Sequence, residues 1–322
     1  MKNRIYILFI IYLIAFVMIL PAQQKRGGIS IAFDDGYPSW INIAAPELQK
    51  VGGVATVFVN NQRVHSGYLT FDDLRKLQNY YKWEIGTHTY HHFNSAKYVE
   101  KYGIDRWLKD EVEKSISEFQ SNGINRIRSI VFPFNSFNEL TSKIAYEKFN
   151  SFRRYSPLPL TNKLYNDKSY PGTSIDLGYY IPLRQVKMWI NFAKMQDKIM
   201  FVYSHEIFEE DHYIKGEIIS VGDDYIIAKD DFKPLNHNAL CLVPDTNTRI
   251  QNTDLKVKGF SGRKILIDNN NLKNVAKSGT KFIVGPCYGM QRSYFEELIK
   301  YAAKKVKFYT VSEAVEKLKR KK

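Results

Sequence analysis

Cysteine and proline are scarce: the 322 residues include 2 Cys, 11 Pro and 18 Gly. Two cysteines cannot supply a disulfide framework, and so little proline and glycine excludes a collagen-like or linker-dominated architecture. Acids are outnumbered, with 33 Asp+Glu against 47 Lys+Arg and a net charge of +14. The excess is mostly lysine scattered among acids, apart from the closing Lys317, Lys319, Arg320, Lys321 and Lys322. A nucleic-acid binder would show a dense basic stripe on a recognisable module. None is visible, so no nucleic-acid partner is expected. Two uses remain for the charge: a solvated lysine surface, or attraction to anionic envelope polymers or phospholipid headgroups. Internal repeats and low-complexity tracts are missing too. With 44% hydrophobic and 25% charged residues the composition is globular. At about 150 residues per domain, the length implies roughly two domains, or one large domain carrying an insertion.

Only one long apolar run occurs, Ile5 to Leu20, after Lys2 and Arg4. A basic start, an apolar stretch and the small Ala22 have the pattern of a secretory signal over residues 1–24. A cut after Ala22 would place the large Leu20 three residues before it, which leaves an uncleaved membrane anchor as the alternative. Either way the rest is expected to be secreted or in the cell envelope. There Cys241 and Cys287 are free either to pair or to stay separate buried thiols.

Strands and helices alternate along most of the chain. Gly28–Phe33, Gly53–Val59, Trp83–Gly86, Ser129–Phe132 and Lys198–Tyr203 are expected strands. Ile43–Val51, Phe71–Tyr81, Ile104–Asn122, Asn138–Phe149 and Leu183–Asp197 are expected helices. Thr70 and Asp73 form a capping pattern at one helix start. Such β–α units build a mainly parallel sheet or barrel, whose chemistry sits at the C-terminal ends of the strands. After about residue 213 the texture changes to short strands: two within Glu217–Ile227, then Ala239–Val243, Leu255–Gly259 and Lys264–Ile267. Turns at Pro244–Asn247 and Asn269–Asn271 punctuate them. The α/β pattern resumes with a strand at Lys281–Val284, a helix at Arg292–Ala303, a strand at Val306–Thr310 and a helix at Ser312–Leu318. The expected organisation is a catalytic domain over 25–212 and 285–322, interrupted by a β-rich insertion over 213–284.

Three polar groups fall just after expected strands: Asp34-Asp35, His88 and His205. Asp-Asp-Gly alone is ordinary turn chemistry. Adjacent carboxylates at a strand end, however, point in different directions, so one can ligate a metal while its neighbour faces water. His88 and His92 are spaced i, i+4; one helical turn would bring the two imidazoles within about 6 Å on one side. Two His and one carboxylate make a hydrolytic metal triad with open positions. His205 is either a satisfied histidine at a strand end or a general acid.

Phe33-Asp34-Asp35-Gly36, His88-Thr89-Tyr90-His91-His92, Phe132-Pro133-Phe134-Asn135 and Tyr203-Ser204-His205 resemble, in that order, motifs of the polysaccharide deacetylase family (NodB-like, carbohydrate esterase family 4). The resemblance covers about residues 28–212 and 286–318. It implies an α/β fold, a distorted (β/α) barrel with an all-β insertion, and removal of N- or O-acetyl groups from sugars with a divalent metal, zinc being the expected ion. It makes Asp34 the general base, Asp35, His88 and His92 the metal ligands, and His205 the general acid. Phe134 would offer its backbone N–H to the oxyanion, and Tyr203 fills the motif position before the acid histidine, among the substrate-binding residues. Two departures stand out. Val131 and Phe132 occupy the place of a family arginine, for which Arg154 is the candidate replacement. Asp176 is the nearest candidate for the carboxylate that orients His205.

The expected function is an exported metal-dependent deacetylase of an acetylated amino-sugar polysaccharide, with membrane attachment through the N-terminal segment an option. The alternative is a non-catalytic carbohydrate-binding protein on the same fold.

Overall fold

The computed structural model describes residues 26–166, 168–179, 181–235, 239–243, 255–268 and 272–321. The N-terminal signal or anchor segment and the turns expected at 244–247 and 269–271 lie outside them. Among the described residues no helix is long and apolar enough to cross a membrane.

Seven parallel strands close into a barrel: β1 (Gly28–Asp35), β2 (Thr56–Val59), β3 (Glu84–Thr87), β4 (Ser129–Ile130), β5 (Ser151–Tyr155), β6 (Ser169–Ser174) and β7 (Ile199–Ser204). They pair in that order, and β7 returns to β1 from Gly28↔Ile199 to Phe33↔Ser204. The expected (β/α) barrel is the observed one. β5 and β6 went unread in the sequence, as did the helices Asn61–His65 and Ser95–Tyr102.

Strand alternation divides the apolar residues between two cores. Ile29, Ile31 and Phe33 of β1 face out and pack with Trp40, Leu48, Leu74, Phe295 and Leu298 from the surrounding helices. Ala32, Phe58, Tyr170, Phe201 and Tyr203 form a separate cluster inside the barrel, joined by Val311, Ala314, Val315 and Leu318 of the C-terminal helix Val311–Lys319, which closes the lower end. Gly86 is needed inside: a Cβ there would lie 2.5 Å from the Phe58 ring and 2.9 Å from the Ser129 carbonyl. The Thr70–Asp73 capping box is present as expected.

A six-stranded antiparallel sheet stands beside the barrel, in the order Leu240–Val243, Lys281–Val284, Ile214–Val221, Tyr225–Ala228, Lys264–Ile267, Val257–Ser261. It buries its own core around Ile218, Ile226, Leu242, Ile265 and Phe282. The chain leaves the barrel through Glu206–Phe208 and returns through Gly289–Gln291, and these two short strands pair in parallel. Gly289 has φ +149°, and a Cβ there would meet the Glu206 carbonyl at 2.5 Å.

Cys241 and Cys287 pair, tying the outer sheet to the returning segment across a sequence separation of 46. Closing a loop of that length restricts the unfolded chain and is worth about 2–4 kcal/mol. The Cys241→Ser/Cys287→Ser variant is therefore expected to unfold at a lower urea midpoint than the oxidised parent. Coincident midpoints would refute a stabilising bridge.

Candidate active site

The candidate residues converge at the C-terminal end of the barrel. Alternation along β1 turns Asp34 inward, where it is 1% exposed. Arg153 on β5 meets it with both guanidinium arms, Nη1 to Oδ1 at 3.0 Å and Nη2 to Oδ2 at 2.5 Å. Burial pushes the Asp34 carboxyl up, but the charge and hydrogen bonds of Arg153, helped by His88 and His205, hold it below its ordinary value. Arg153 in turn lies 3.6 Å from the centre of the Tyr203 ring.

The next residue leaves the strand geometry. Asp35 has φ +92°, so its carboxylate follows a different line from that of Asp34. One oxygen, Oδ1, faces His92 Nε2 at 3.1 Å and His88 Nε2 at 3.5 Å; the other, Oδ2, takes Arg63 at 3.2 Å. One ligand atom from each of Asp35, His88 and His92 lies within 4.8 Å of the others.

His88 and His92 do not share a helical turn, contrary to the i, i+4 expectation. They lie on an irregular loop after β3, where Thr89 and His92 both take φ +62°. The left-handed residues fold the loop back on itself, bringing the imidazole centres to 4.8 Å. His88 bonds the Val131 carbonyl through Nδ1 at 2.9 Å, so Nδ1 carries the proton and Nε2 presents a lone pair. Burial, reinforced by His92, lowers the His88 imidazole to about 4, keeping it neutral and fit to ligate.

Residues between the ligands anchor this loop. Glu111, fully buried in a wide turn of the helix over 104–121, accepts the His91 backbone N–H at 3.0 Å and pairs with its imidazole at 2.6 Å. Ser115 bonds Thr87 at 2.7 Å, and Thr87 accepts the Thr89 N–H at 3.1 Å. Neither Glu111 nor Arg63 carries a local sequence signal, because each meets its partner at least twenty residues away in the chain.

Across the mouth, His205 Nδ1 bonds Asp176 at 2.8 Å. Asp176, 1% exposed, also accepts from Ser174 at 2.7 Å, Ser204 at 2.6 Å and the His205 backbone N–H at 3.1 Å. Burial disfavours the charged imidazole, but Asp176, with Asp35 and Asp34, raises His205 to about 9. The Tyr288 ring stands 5.3 Å from it, next to the bridged Cys287.

Phe134 is 68% exposed at the rim, its ring 4.9 Å from that of His92. Phe134 and Asn135 have φ +59° and +51°, a left-handed pair that turns the chain sharply there. Tyr203 is 2% exposed, and its hydroxyl accepts from Asn135 at 3.1 Å. The arginine expected at position 154 is instead Arg153. Phe152 packs outward among helix residues, so the neighbouring Arg153 points in, while Arg154 lies against the outward rings of Phe137 and Phe152.

Residues 22–148 match the family model described as polysaccharide deacetylase. Over this segment, which is less than half of its length, the chain is similar to the polysaccharide deacetylase family. The matched segment holds Asp34, Asp35, His88, His92 and Phe134; Arg153, Asp176 and His205 lie beyond it and are brought to the same mouth by the barrel. No curated protein matches. Among solved structures, the deacetylase domain of BpsB from Bordetella bronchiseptica is 19% identical, with a TM-score of 0.37, over 40% of this chain and 64% of that one. The peptidoglycan deacetylase PdaC from Bacillus subtilis is 14% identical, with a TM-score of 0.43, over 92% and 93%. The Xyl-CE4 domain of a multidomain xylanase from the hindgut metagenome of Trinervitermes trinervoides is 17% identical, with a TM-score of 0.38, over 58% and 76%. The barrel assignment itself rests on the strand pairing.

Proposed function

We propose that the protein is an exported, divalent-metal-dependent deacetylase of an amino-sugar polysaccharide, hydrolysing N-acetyl groups to acetate and free amines. The observation that carries this reading is the convergence of an Arg153-paired Asp34, an Asp176-paired His205 and the Asp35–His88–His92 cluster at one end of the barrel.

The donor set fits a cation. Asp35 Oδ1 is buried and has no hydrogen-bond partner, yet two imidazole nitrogens face it. Asp35, His88 and His92 would hold the ion, and the nitrogen and oxygen donors suit zinc. When bound, a divalent cation supplies Lewis acidity, polarising the acetyl carbonyl and acidifying water. The rest falls to the chain. An acetamide is a poor electrophile and its amine a poor leaving group, so both a base and an acid are needed. Asp34 takes the proton of the attacking water, and Arg153 keeps that carboxylate ionised and fixed in direction. His205 donates its proton to the departing nitrogen, and Asp176 keeps the imidazole charged and oriented. Phe134, exposed at the rim, would contribute its backbone N–H to the oxyanion and its ring to the sugar. Export rests on the basic and apolar pattern of residues 1–24.

The test is acetate release from acetylated glycan polymers by zinc-loaded protein, with and without a chelator, beside Asp34→Asn as the inactive control. Release that is indifferent to both chelation and the substitution would sink the proposal.

A smaller effect follows from Glu111. Its two carboxylate oxygens hold the loop that carries both histidines, and the partners of metal ligands typically govern affinity by about 10–100-fold. The isosteric Glu111→Gln can accept only one of the two bonds to His91. It is expected to weaken zinc binding by about tenfold, measured by competition with a chromophoric chelator. Equal affinity in variant and parent would show that the clamp is unnecessary.

A further inference from the structure

At the end of the barrel opposite Asp34 and His205, a cavity of about 1300 Å³ opens between the starts of the strands and the C-terminal helix. Its lining includes Trp83 and Phe308. Seven cationic and three acidic side chains line it.

The acids are already engaged. Glu84 accepts the Ser312 backbone N–H at 2.7 Å, the Ser312 hydroxyl at 2.6 Å and the Ser129 hydroxyl at 2.5 Å. Glu313 closes the capping box with Thr310, and Glu316 pairs with Lys319. The cations are not similarly matched. Among the described residues Arg126, Arg128 and Lys307 are exposed and make no ion pair with a carboxylate, while Lys82 and Lys317 donate only to a carbonyl and a phenol.

We propose that this cavity binds a linear polyphosphate-type polyanion at a site separate from the deacetylation centre. Two observations favour a polymer strand. The recess is concave, and a flat anionic bilayer would touch only its rim. Its free cations include two arginines, whose planar forks match phosphate oxygens in pairs. The cavity and the reaction centre lie at opposite ends of the barrel, so both can be occupied together.

The probe is fluorescently labelled long-chain polyphosphate, titrated by anisotropy against the full chain in a neutral detergent. Saturable binding is expected, weakening at least about tenfold between about 50 mM and about 300 mM salt. Arg126→Glu/Arg128→Glu/Lys307→Glu is expected to lose at least about tenfold more affinity than Lys97→Glu/Lys109→Glu/Lys143→Glu, which makes the same charge change at exposed lysines on other helices. Both variants should keep the parent melting temperature and hydrolyse a small soluble acetylated sugar at the parent rate. Absence of saturable binding, or equal losses in the two variants, overturns the proposal: the second result would mean that bulk charge, not the cavity, holds the polymer. Binding to phosphatidylglycerol vesicles without binding to polyphosphate overturns it as well, in favour of a membrane surface.

Discussion

Arg153→Met is expected to lower acetate release by about a hundredfold and to cost about 3–5 kcal/mol of stability. The two effects share one cause. Asp34 is 1% exposed, and Arg153 meets both of its oxygens. Without the guanidinium, a buried carboxylate has lost its main compensating charge, and burial then drives it to hold a proton. A protonated Asp34 cannot accept one from water. The acid limb of the pH–rate profile should therefore move to higher pH in the variant. The stability curve carries the same sign. A carboxyl held below its unfolded value stabilises the fold above that value, and the contribution disappears as pH falls through the folded one. Arg153→Met removes that contribution at neutral pH. Arg153→Lys supplies a point charge without the fork and should fall between parent and Met variant. The double variant Asp34→Asn/Arg153→Met separates charge from packing: with no buried charge left, it should be more stable than Arg153→Met alone. A Met variant with the parent acid limb and parent stability would show that Arg153 does not serve Asp34.

Much of this site is legible in sequence because barrel strands announce themselves by apolar runs, and the chemistry follows their ends. Asp34, Asp35, His88 and His205 are legible in that way: the two aspartates end β1, while β3 and β7 immediately precede the two histidines. The unread part lies in β5 and β6, which hide for physical reasons. Ser-Phe-Arg-Arg-Tyr carries two charges, and Ser-Tyr-Pro-Gly-Thr-Ser carries a proline and a glycine, which normally argue against an interior strand. Both exceptions serve the same arginine. A Cβ at Gly172 would lie 2.4 Å from the Arg153 side chain, so the glycine makes room for the guanidinium stem. Only the pairing of β5 in the barrel shows the alternation that turns position 153 inward and 154 outward, and without it the two neighbouring arginines are indistinguishable. The His88–His92 loop misleads differently. Helical spacing is one way to bring two imidazoles together; two residues with left-handed backbone are another, and nothing local distinguishes them. Glu111 acts on His91 from twenty residues along the chain, a contact that only the fold creates.

Asp176→Asn is expected to move the alkaline limit of activity down by about two pH units and to cost on the order of a hundredfold in rate at neutral pH. His205 works as an acid only while protonated, and Asp176, with smaller help from Asp35 and Asp34, raises it from 6.5 to about 9 against the effect of burial. The parent should therefore keep its rate through neutral pH and lose it as pH passes about 9. An asparagine keeps the shape and can still accept from Ser204, but it brings no charge, so burial then pulls the imidazole down toward its unperturbed value or below. The stability sign runs opposite to that of Asp34. A histidine raised on folding contributes stability that is complete below pH 6.5 and is lost as pH climbs through about 9. The size is on the order of 3 kcal/mol for a shift of this extent. Urea midpoints measured across that window should fall for the parent and stay flatter for Asp176→Asn. If both proteins share one alkaline limb, Asp176 does not set the charge of His205, and the acid in the reaction must be sought in another group at the mouth of the barrel.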